Sequence, residues 1–158
     1  QIDSLFEAAR WAPSCFNAQP WLFIFAAEET DRLRFLPALV DKNQAWVKNA
    51  SLLIYLLCRR NFSHNDQGNR HAPFDAGAAW MSLALQARKL GLYAHAMAGF
   101  SREKAYEIIK APAEEYDIMA AIAVGYRADP SQLPEAVAAG EKPSDRKARQ
   151  DVARQGFF

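Results

Sequence analysis

Apolar residues recur along the chain with two different periods, and together they predict a mixed fold of helices and strands. Helical spacing over residues 2–11 predicts a first amphipathic helix, and residues 21–27 have the composition of a strand. Two further runs, residues 51–58 and 117–124, are apolar without alternation. Such runs are typical of strands that are covered on both faces, so we expect both to lie inside a sheet.

The longest predicted helix covers residues 74–90 and is apolar around more than half of its circumference. Gly91 follows it and is expected to supply its C-terminal cap. In a chain of 158 residues, a partner subunit is a natural cover for so much apolar surface. We therefore expect a homodimer.

The remaining predicted elements are short: helices at 33–36 and 44–49, a strand at 93–96, and a helix from the N-cap Ser101 to Lys110. Strands and helices follow one another without a regular β-α-β order, and no Gly-x-Gly-x-x-Gly follows a strand, which disfavours a Rossmann domain. The sequence therefore predicts one mixed α+β domain over residues 1–158, with residues 127–158 as an extended C-terminal tail.

Composition and charge narrow the possible functions. Hydrophobic residues make up 51% of the chain and charged residues 23%, as in ordinary globular proteins. The net charge of +1 gives no reason to expect nucleic acid or an acidic membrane as a partner. No apolar run approaches the roughly 20 residues that cross a bilayer, and no signal peptide is visible. Two cysteines are too few for a disulfide framework, so the sequence favours the cytoplasm.

Residues 12–21, Ala-Pro-Ser-Cys-Phe-Asn-Ala-Gln-Pro-Trp, are the most informative stretch of the chain. Pro13 and Pro20 disfavour helical geometry in the residues before them, so the chain must turn between the first helix and the first strand. Asn17 and Gln19 are left in this turn with side chains that both donate and accept hydrogen bonds. Such a turn can bind the edge of a planar heterocycle, or it can be a rigid connector whose amides satisfy the local backbone.

Three further features are weaker candidates for chemistry. Residues 59–73 form a predicted loop whose length is typical of functional or mobile loops. His64 and His71 flank Asp66 in this loop, but without zinc-like spacing, so no metal site is predicted. Cys15 is either a reactive thiol or a small buried filler, and no paired carboxylates indicate acid–base chemistry.

Four segments, in the same order along the chain, resemble the nitroreductase family of FMN-dependent NAD(P)H oxidoreductases. The first is the opening turn at residues 12–21, with Ala-Pro-Ser-x-x-Asn-x-Gln-Pro-Trp. The second, residues 74–92, has Asp-x-Gly-x-Ala and a final Leu-Gly-Leu, and the third is Met-Ala-Gly-Phe at residues 97–100. The fourth is Val-Gly-Tyr followed by a basic Arg-Lys, within residues 124–149. The order of all four segments carries the resemblance.

The resemblance implies a mainly antiparallel central sheet flanked by helices and a homodimer with the long helix at its interface. It implies FMN as cofactor, NADH or NADPH as reductant, and an electron-poor small molecule such as a nitroaromatic or a quinone as acceptor. Flavin N5 would carry the chemistry, so no catalytic side chain is expected. The residues that it implies in cofactor binding are Pro13, Ser14, Asn17 and Gln19 in the opening turn, Ala98 and Gly99 near flavin N5, and Arg146 and Lys147 at the phosphate.

Two departures from the family pattern bear on these implications. The family opens with an Arg-x-Ser-x-Arg-like segment before the first helix, and this chain starts after that point; either the segment has been removed or FMN is held more weakly. The ending reads Arg-Lys-Ala-Arg where Arg-Lys-Pro-Leu is usual, which leaves open the basic residue that meets the phosphate.

Three alternatives stay open at this point. The first is a flavin enzyme of the same family with other chemistry, such as enone reduction, dehalogenation or flavin fragmentation. The second is a non-enzymatic homologue that serves as a flavin-binding or scaffold module. The third is an enzyme centred on the thiol of Cys15.

Overall fold

Four strands form one antiparallel sheet in this computed structural model. They are β1 (Trp21–Ala26), β2 (Leu52–Arg59), β3 (Tyr93–Met97) and β4 (Tyr116–Gly125). Their order across the sheet is β1-β2-β4-β3, and every neighbouring pair is antiparallel. The predicted α+β fold with a mainly antiparallel sheet is therefore confirmed.

The structure describes residues 1–129, 131, 138 and 140–157. The chain divides into two compact units, Gln1–Arg127 and Ala128–Phe158, and the sheet belongs to the first.

Five helices of the first unit cover the two faces of this sheet. They are α1 (Ile2–Arg10), α2 (Glu29–Phe35), α3 (Asp41–Val47), α4 (Ala72–Lys89) and α5 (Arg102–Ile109). Buried side chains of α1 and α4 form one core with one face, and those of α2, α3 and α5 form a second core with the other face. Within the described part of the chain, no helix combines the length and the apolar character that crossing a membrane requires.

Strand β2 supplies side chains to both cores. Ile54 and Leu56 belong to the core under α1 and α4, whereas Leu53, Tyr55 and Leu57 belong to the opposite core. Seven consecutive residues of this strand are buried. A strand that was covered on one face only would alternate, so the continuous apolar run predicted this burial, and the prediction is confirmed.

A β-bulge interrupts the pairing of β2 with β4. The register shifts by one residue between Leu56 and Leu57, which leaves Met119 of β4 without a pairing partner. Met119 and Ala120 consequently both pack against the core under α1 and α4. The bulge brings the sulfur of Met119 within 3.2 Å of the sulfur of Cys58.

Helix α4 begins at Ala72, two residues earlier than the sequence predicts. Pro73 lies in its first turn, where the missing N–H costs no intrahelical hydrogen bond. Because Arg59 also belongs to β2, the predicted loop at 59–73 is shorter at both ends than expected.

The C-terminal end of α4 is closed as predicted. Gly91 has a φ of 79°, and the N–H of Leu92 donates to the carbonyl of Ala87 over 2.8 Å. Such a C-terminal cap, with glycine in the left-handed conformation, satisfies carbonyl groups in the last turn of the helix.

The predicted tail at 127–158 lies almost wholly in the second unit. Residues 130, 132–137, 139 and 158 lie outside the described residues. Its described part contains a four-residue helix, Arg149–Val152, whose residues are exposed. The role of this segment stays a prediction.

Candidate functional site

The opening turn contains a single 3₁₀ turn, Cys15–Asn17, between α1 and β1. Its backbone enters the left-handed region three times, at Phe16 (φ 52°), Asn17 (φ 54°) and Gln19 (φ 46°). Non-glycine residues rarely do so, and those that do cluster at active sites and ligand clamps. The turn that the two prolines predict is present, and its backbone is strained.

Local hydrogen bonds hold this turn closed. The N–H of Gln19 donates to the hydroxyl of Ser14 over 3.0 Å, and the side-chain amide of Gln19 donates to the carbonyl of Asn17 over 3.0 Å. Ser14 and Gln19 therefore stabilise the turn itself, as the rigid-connector interpretation expects. Gln19 keeps its oxygen and one N–H of its side chain for another partner.

A buried carboxylate ties the turn to α4. Asp75, in the first turn of α4, is 3% exposed, and its Oδ2 accepts a hydrogen bond of 3.0 Å from the N–H of Cys15. A buried carboxylate is costly unless it is hydrogen-bonded, so this contact stabilises both segments. The dipole of α4 adds to this, because negative charge is favourable near the N-terminus of a helix.

Asn17 is the predicted ligand in this turn whose side chain is free. It is exposed and makes no side-chain hydrogen bond to the described residues. Pro13 is exposed beside it, whereas Ser14 is half-buried. The turn therefore offers an outside ligand the unengaged amide of Asn17 and the exposed rings of Pro13 and Phe16.

The second predicted binding segment, Ala98 and Gly99, follows directly after β3. The carbonyl of Gly99 accepts two hydrogen bonds of 3.0 Å, from the N–H of Val40 and from the side-chain amide of Asn43. The N–H of Gly99 donates to no acceptor among the described residues. A Cβ at Gly99 would lie 2.6 Å from Asn43 Nδ2, so only glycine fits without displacing this contact.

Asn43 is a site residue to which no local sequence pattern points. It lies in α3, which begins three residues before the predicted helix at 44–49. Its contact with Gly99 joins residues that are 56 positions apart in the chain. Because periodicity reports only local structure, this contact becomes visible only once the chain is folded.

The two predicted binding segments adjoin the edge strands at the same end of the sheet, the opening turn before β1 and Ala98 and Gly99 after β3. The register along β4 brings the start of β1 and the end of β3 to this common end. Strands β1 and β3 are separated by three strand spacings, or about 14 Å. Among the described residues, no hydrogen bond joins the opening turn to Ala98 or Gly99.

Arg146 and Lys147 belong to the second unit, where both are exposed. The guanidinium of Arg146 donates to the carbonyl and the hydroxyl of Ser144, over 2.9 and 2.8 Å. The predicted role of these two residues at a phosphate stays a prediction.

Comparison with known proteins decides the family. The model of the nitroreductase family matches residues 1–44 and 26–126, which together span most of the chain. This chain belongs to the nitroreductase family. The predicted family is thereby confirmed, and the match ends at residue 126, before the basic Arg-Lys of the fourth segment.

Individual relatives agree with the family match. The chain is 33% identical to an uncharacterized 15.4 kDa protein of Mycolicibacterium smegmatis, over 83% of this chain and 86% of that protein. It is 38% identical to a solved oxidoreductase containing FMN, with a TM-score of 0.93 over 99% of this chain and 81% of that one. A nitroreductase family protein from Streptococcus pneumoniae is 18% identical with a TM-score of 0.77, over 98% and 88% of the two chains, and shows the shared fold.

Asn69 holds the loop between β2 and α4 in place through two hydrogen bonds. Its N–H donates to the carbonyl of Arg60 over 2.7 Å, and its Oδ1 accepts from the N–H of His71 over 3.1 Å. Its Nδ2 is buried and has no hydrogen-bond partner among the described residues. A cavity of about 350 Å³, lined by Cys58 and Asp117 among others, adjoins Asn69.

The cysteines and histidines differ in their surroundings. Burial raises the pKa of Cys58 to about 11, helped by the negative charge of Asp117, so its thiol stays protonated at neutral pH. Cys15 is half-buried. His64 and His71 belong to no cluster of three or more metal-ligating side chains within the described part of the chain.

Asp75→Ala is expected to lower the free energy of unfolding by about 1–3 kcal/mol, because it leaves the N–H of Cys15 without its acceptor. Urea denaturation followed by circular dichroism measures this. Asp75→Asn keeps an acceptor oxygen at the same place and serves as the control, with a smaller loss. Equal losses in both variants would contradict the proposed role of the hydrogen bond.

Gly99→Ala is expected to destabilise the protein by about 1–3 kcal/mol, because the new methyl group displaces Asn43. Gly68→Ala is the matched control, since nothing lies within 4 Å of its Cβ position. It should change stability by less than about 0.5 kcal/mol. A Gly99 variant as stable as the Gly68 variant would show that Asn43 moves aside freely.

Proposed function

We propose that this nitroreductase-family chain is an FMN-dependent oxidoreductase that passes hydride from NADH or NADPH to an electron-poor acceptor. Acceptors of this kind are nitroaromatics and quinones. The observation that supports the proposal most is the 38% identity, at a TM-score of 0.93, to an oxidoreductase containing FMN. Family membership supports the same reaction class.

The residues of the first unit fit a flavin in two respects. The N–H of Gly99 has no acceptor among the described residues and is held in place through the carbonyl of the same residue. The exposed amide of Asn17 is free to meet a polar ring edge, and Gln19 can add its free oxygen. Both features are directional donors or acceptors on rigid backbone, which is what orients a planar heterocycle.

When bound, FMN supplies the hydride chemistry at its N5 atom. In the proposal, Ala98 and Gly99 present a backbone N–H near N5, and Pro13 and Ser14 line the ring. Arg146 and Lys147 neutralise the phosphate, for which the planar guanidinium of arginine is well suited. No side chain of the chain has to act as an acid or a base, which agrees with the lack of paired carboxylates in the sequence.

We also propose that the protein acts as a homodimer through the outer face of α4. Three apolar side chains on this face are exposed in the single chain: Phe74 by 80%, Met81 by 55% and Leu85 by 58%. They recur at helical spacing and form one stripe, which is the pattern of an uncovered contact face.

Both cysteines are free thiols, consistent with the cytoplasmic location that the sequence predicts.

The purified protein is expected to be yellow, or to bind added FMN stoichiometrically, and NADH or NADPH should bleach it without oxygen. The visible spectrum and the released cofactor, identified by chromatography, measure this. A colourless protein that fails to bind FMN, also in a longer chain that includes an upstream basic segment, would contradict the proposal. That result would favour the scaffold alternative.

Leu85→Glu is expected to weaken the dimer by at least about a hundredfold, because it buries an unpaired charge in the contact face. Sedimentation velocity over a range of concentrations measures this. Leu33→Glu is the matched control, since Leu33 on α2 is 57% exposed but lies off this face. Equal dimer affinity of both variants would place the interface elsewhere.

A further inference from the structure

Asp75 is a buried carboxylate in the first turn of α4, but the needs of that helix do not explain it. The N-cap of α4 is His71, and no side-chain hydrogen bond caps this end of the helix. The carboxylate of Asp75 instead accepts from the N–H of Cys15, and among the described residues this is the one hydrogen bond that its side chain makes. Burial of a carboxylate is costly, and a single hydrogen bond offsets only part of that cost. Stability alone is therefore a poor reason for this residue.

The opening turn is closed by its own hydrogen bonds, but Asp75 fixes it to the rest of the protein. The bonds of Ser14, Asn17 and Gln19 stay within residues 13–19. Among the described residues, the hydrogen bond from Cys15 to Asp75 is the one that joins residues 13–19 to another segment. The local bonds therefore close the turn, and Asp75 holds the closed turn against α4.

This attachment lies where the backbone is most strained. Phe16 and Asn17, both in the left-handed region, follow directly after Cys15. Such residues persist only where surrounding structure holds them. Asn17 also carries the free amide that is proposed to meet the ring edge of a flavin. Because a hydrogen bond to a ligand is directional, its donor or acceptor has to be held within about 0.5 Å of the productive position.

We infer that Asp75 is a positioning residue for the cofactor: through the N–H of Cys15 it holds the opening turn, and with it Asn17, where the turn binds FMN. The inference rests on the proposed function, because FMN is the ligand that the turn is proposed to meet. Since Asp75 acts through a hydrogen bond, a neutral side chain with the same acceptor oxygen should replace it. A side chain without an acceptor should not.

Titration of the FMN-free full chain with FMN, followed by flavin fluorescence, tests this inference. Asp75→Ala is expected to raise the dissociation constant for FMN about tenfold, as when the turn keeps its binding position for about a tenth of the time. Asp75→Asn keeps an acceptor oxygen and should stay within about threefold of the wild type. Equal losses of affinity in both variants would overturn the inference, because the charge and not the hydrogen bond would then matter.

Tyr55→Phe is the matched control for a loss of stability without a change at the turn. Tyr55 is buried in the opposite core, and its hydroxyl donates to the carbonyl of Phe35 over 3.0 Å. Like Asp75→Ala, this variant leaves one backbone group without its side-chain partner. It should lower the stability of the protein and keep the wild-type affinity for FMN. A dissociation constant raised as much as in Asp75→Ala would show that Asp75 acts through stability alone, which would overturn the inference.

Amide hydrogen exchange of the FMN-free protein, followed by NMR, is a readout that needs no cofactor. The N–H of Cys15 should exchange at least about tenfold faster in Asp75→Ala than in the wild type, because its acceptor is lost. The amide signals of Phe16 and Asn17 should shift in the same variant and stay in place in Tyr55→Phe. Unchanged exchange at Cys15 and unchanged signals in Asp75→Ala would overturn the inference.

Failure of this inference can be told from failure of the proposed function. If the wild-type protein binds no FMN, the proposed function fails, and the amide exchange still decides whether Asp75 fixes the turn. If FMN binds equally well to the wild type and to Asp75→Ala, the positioning role fails and the proposed function remains.

A second pair of variants removes the donor of the same hydrogen bond, should Asp75→Ala not fold. Cys15→Pro has no N–H, and the extended backbone of Ser14 (ψ 155°) is compatible with a following proline. Cys15→Ala keeps the N–H and is the control. Cys15→Pro should raise the dissociation constant for FMN about tenfold relative to Cys15→Ala. Equal affinities of these two variants would overturn the inference.

Discussion

Burial of β2 on both faces is the constraint on which the rest of the first unit depends. A strand with seven consecutive buried residues is stable only if helices cover the sheet from both sides. Each fully buried leucine or isoleucine contributes about 1.5–3 kcal/mol, so this strand concentrates much of the driving force for folding. Helices α1 and α4 cover one face of the sheet, and α2, α3 and α5 cover the other. The polar turns are thereby restricted to the ends of the sheet, where a ligand can reach them.

Asp75 connects the core helix α4 to the candidate site. It is the one buried carboxylate among the described residues, and it accepts a hydrogen bond from the backbone of the opening turn. Local hydrogen bonds of Ser14 and Gln19 close the strained turn at Phe16 and Asn17. A helix that is itself fixed by the core adds one hydrogen bond from outside the turn. The stability of α4 and the shape of the turn are therefore coupled.

The sequence predicts the strands and the long helix well because their apolar patterns are local. The apolar runs at residues 51–58 and 117–124 predicted buried strands, and the structure has β2 and β4 there. The contacts of the candidate site cannot be predicted in this way, because they join residues that are distant in sequence. Asp75 and Cys15 are 60 positions apart, and Asn43 and Gly99 are 56 positions apart. Periodicity contains no information about such pairs. For the same reason Phe62 and His64 read as ordinary loop residues until the fold brings Phe16 against them.

The geometry also links the cofactor proposal to the dimer proposal. Asn17 precedes β1 and Gly99 follows β3, and these two edge strands are about 14 Å apart across the sheet. The proposed dimer would supply a second opening turn and a second Gly99, so that a flavin shared by the subunits would not need both segments from one copy. The exposed stripe on α4 and the separation of the two binding segments then have one common explanation, and a monomeric protein would leave both unexplained.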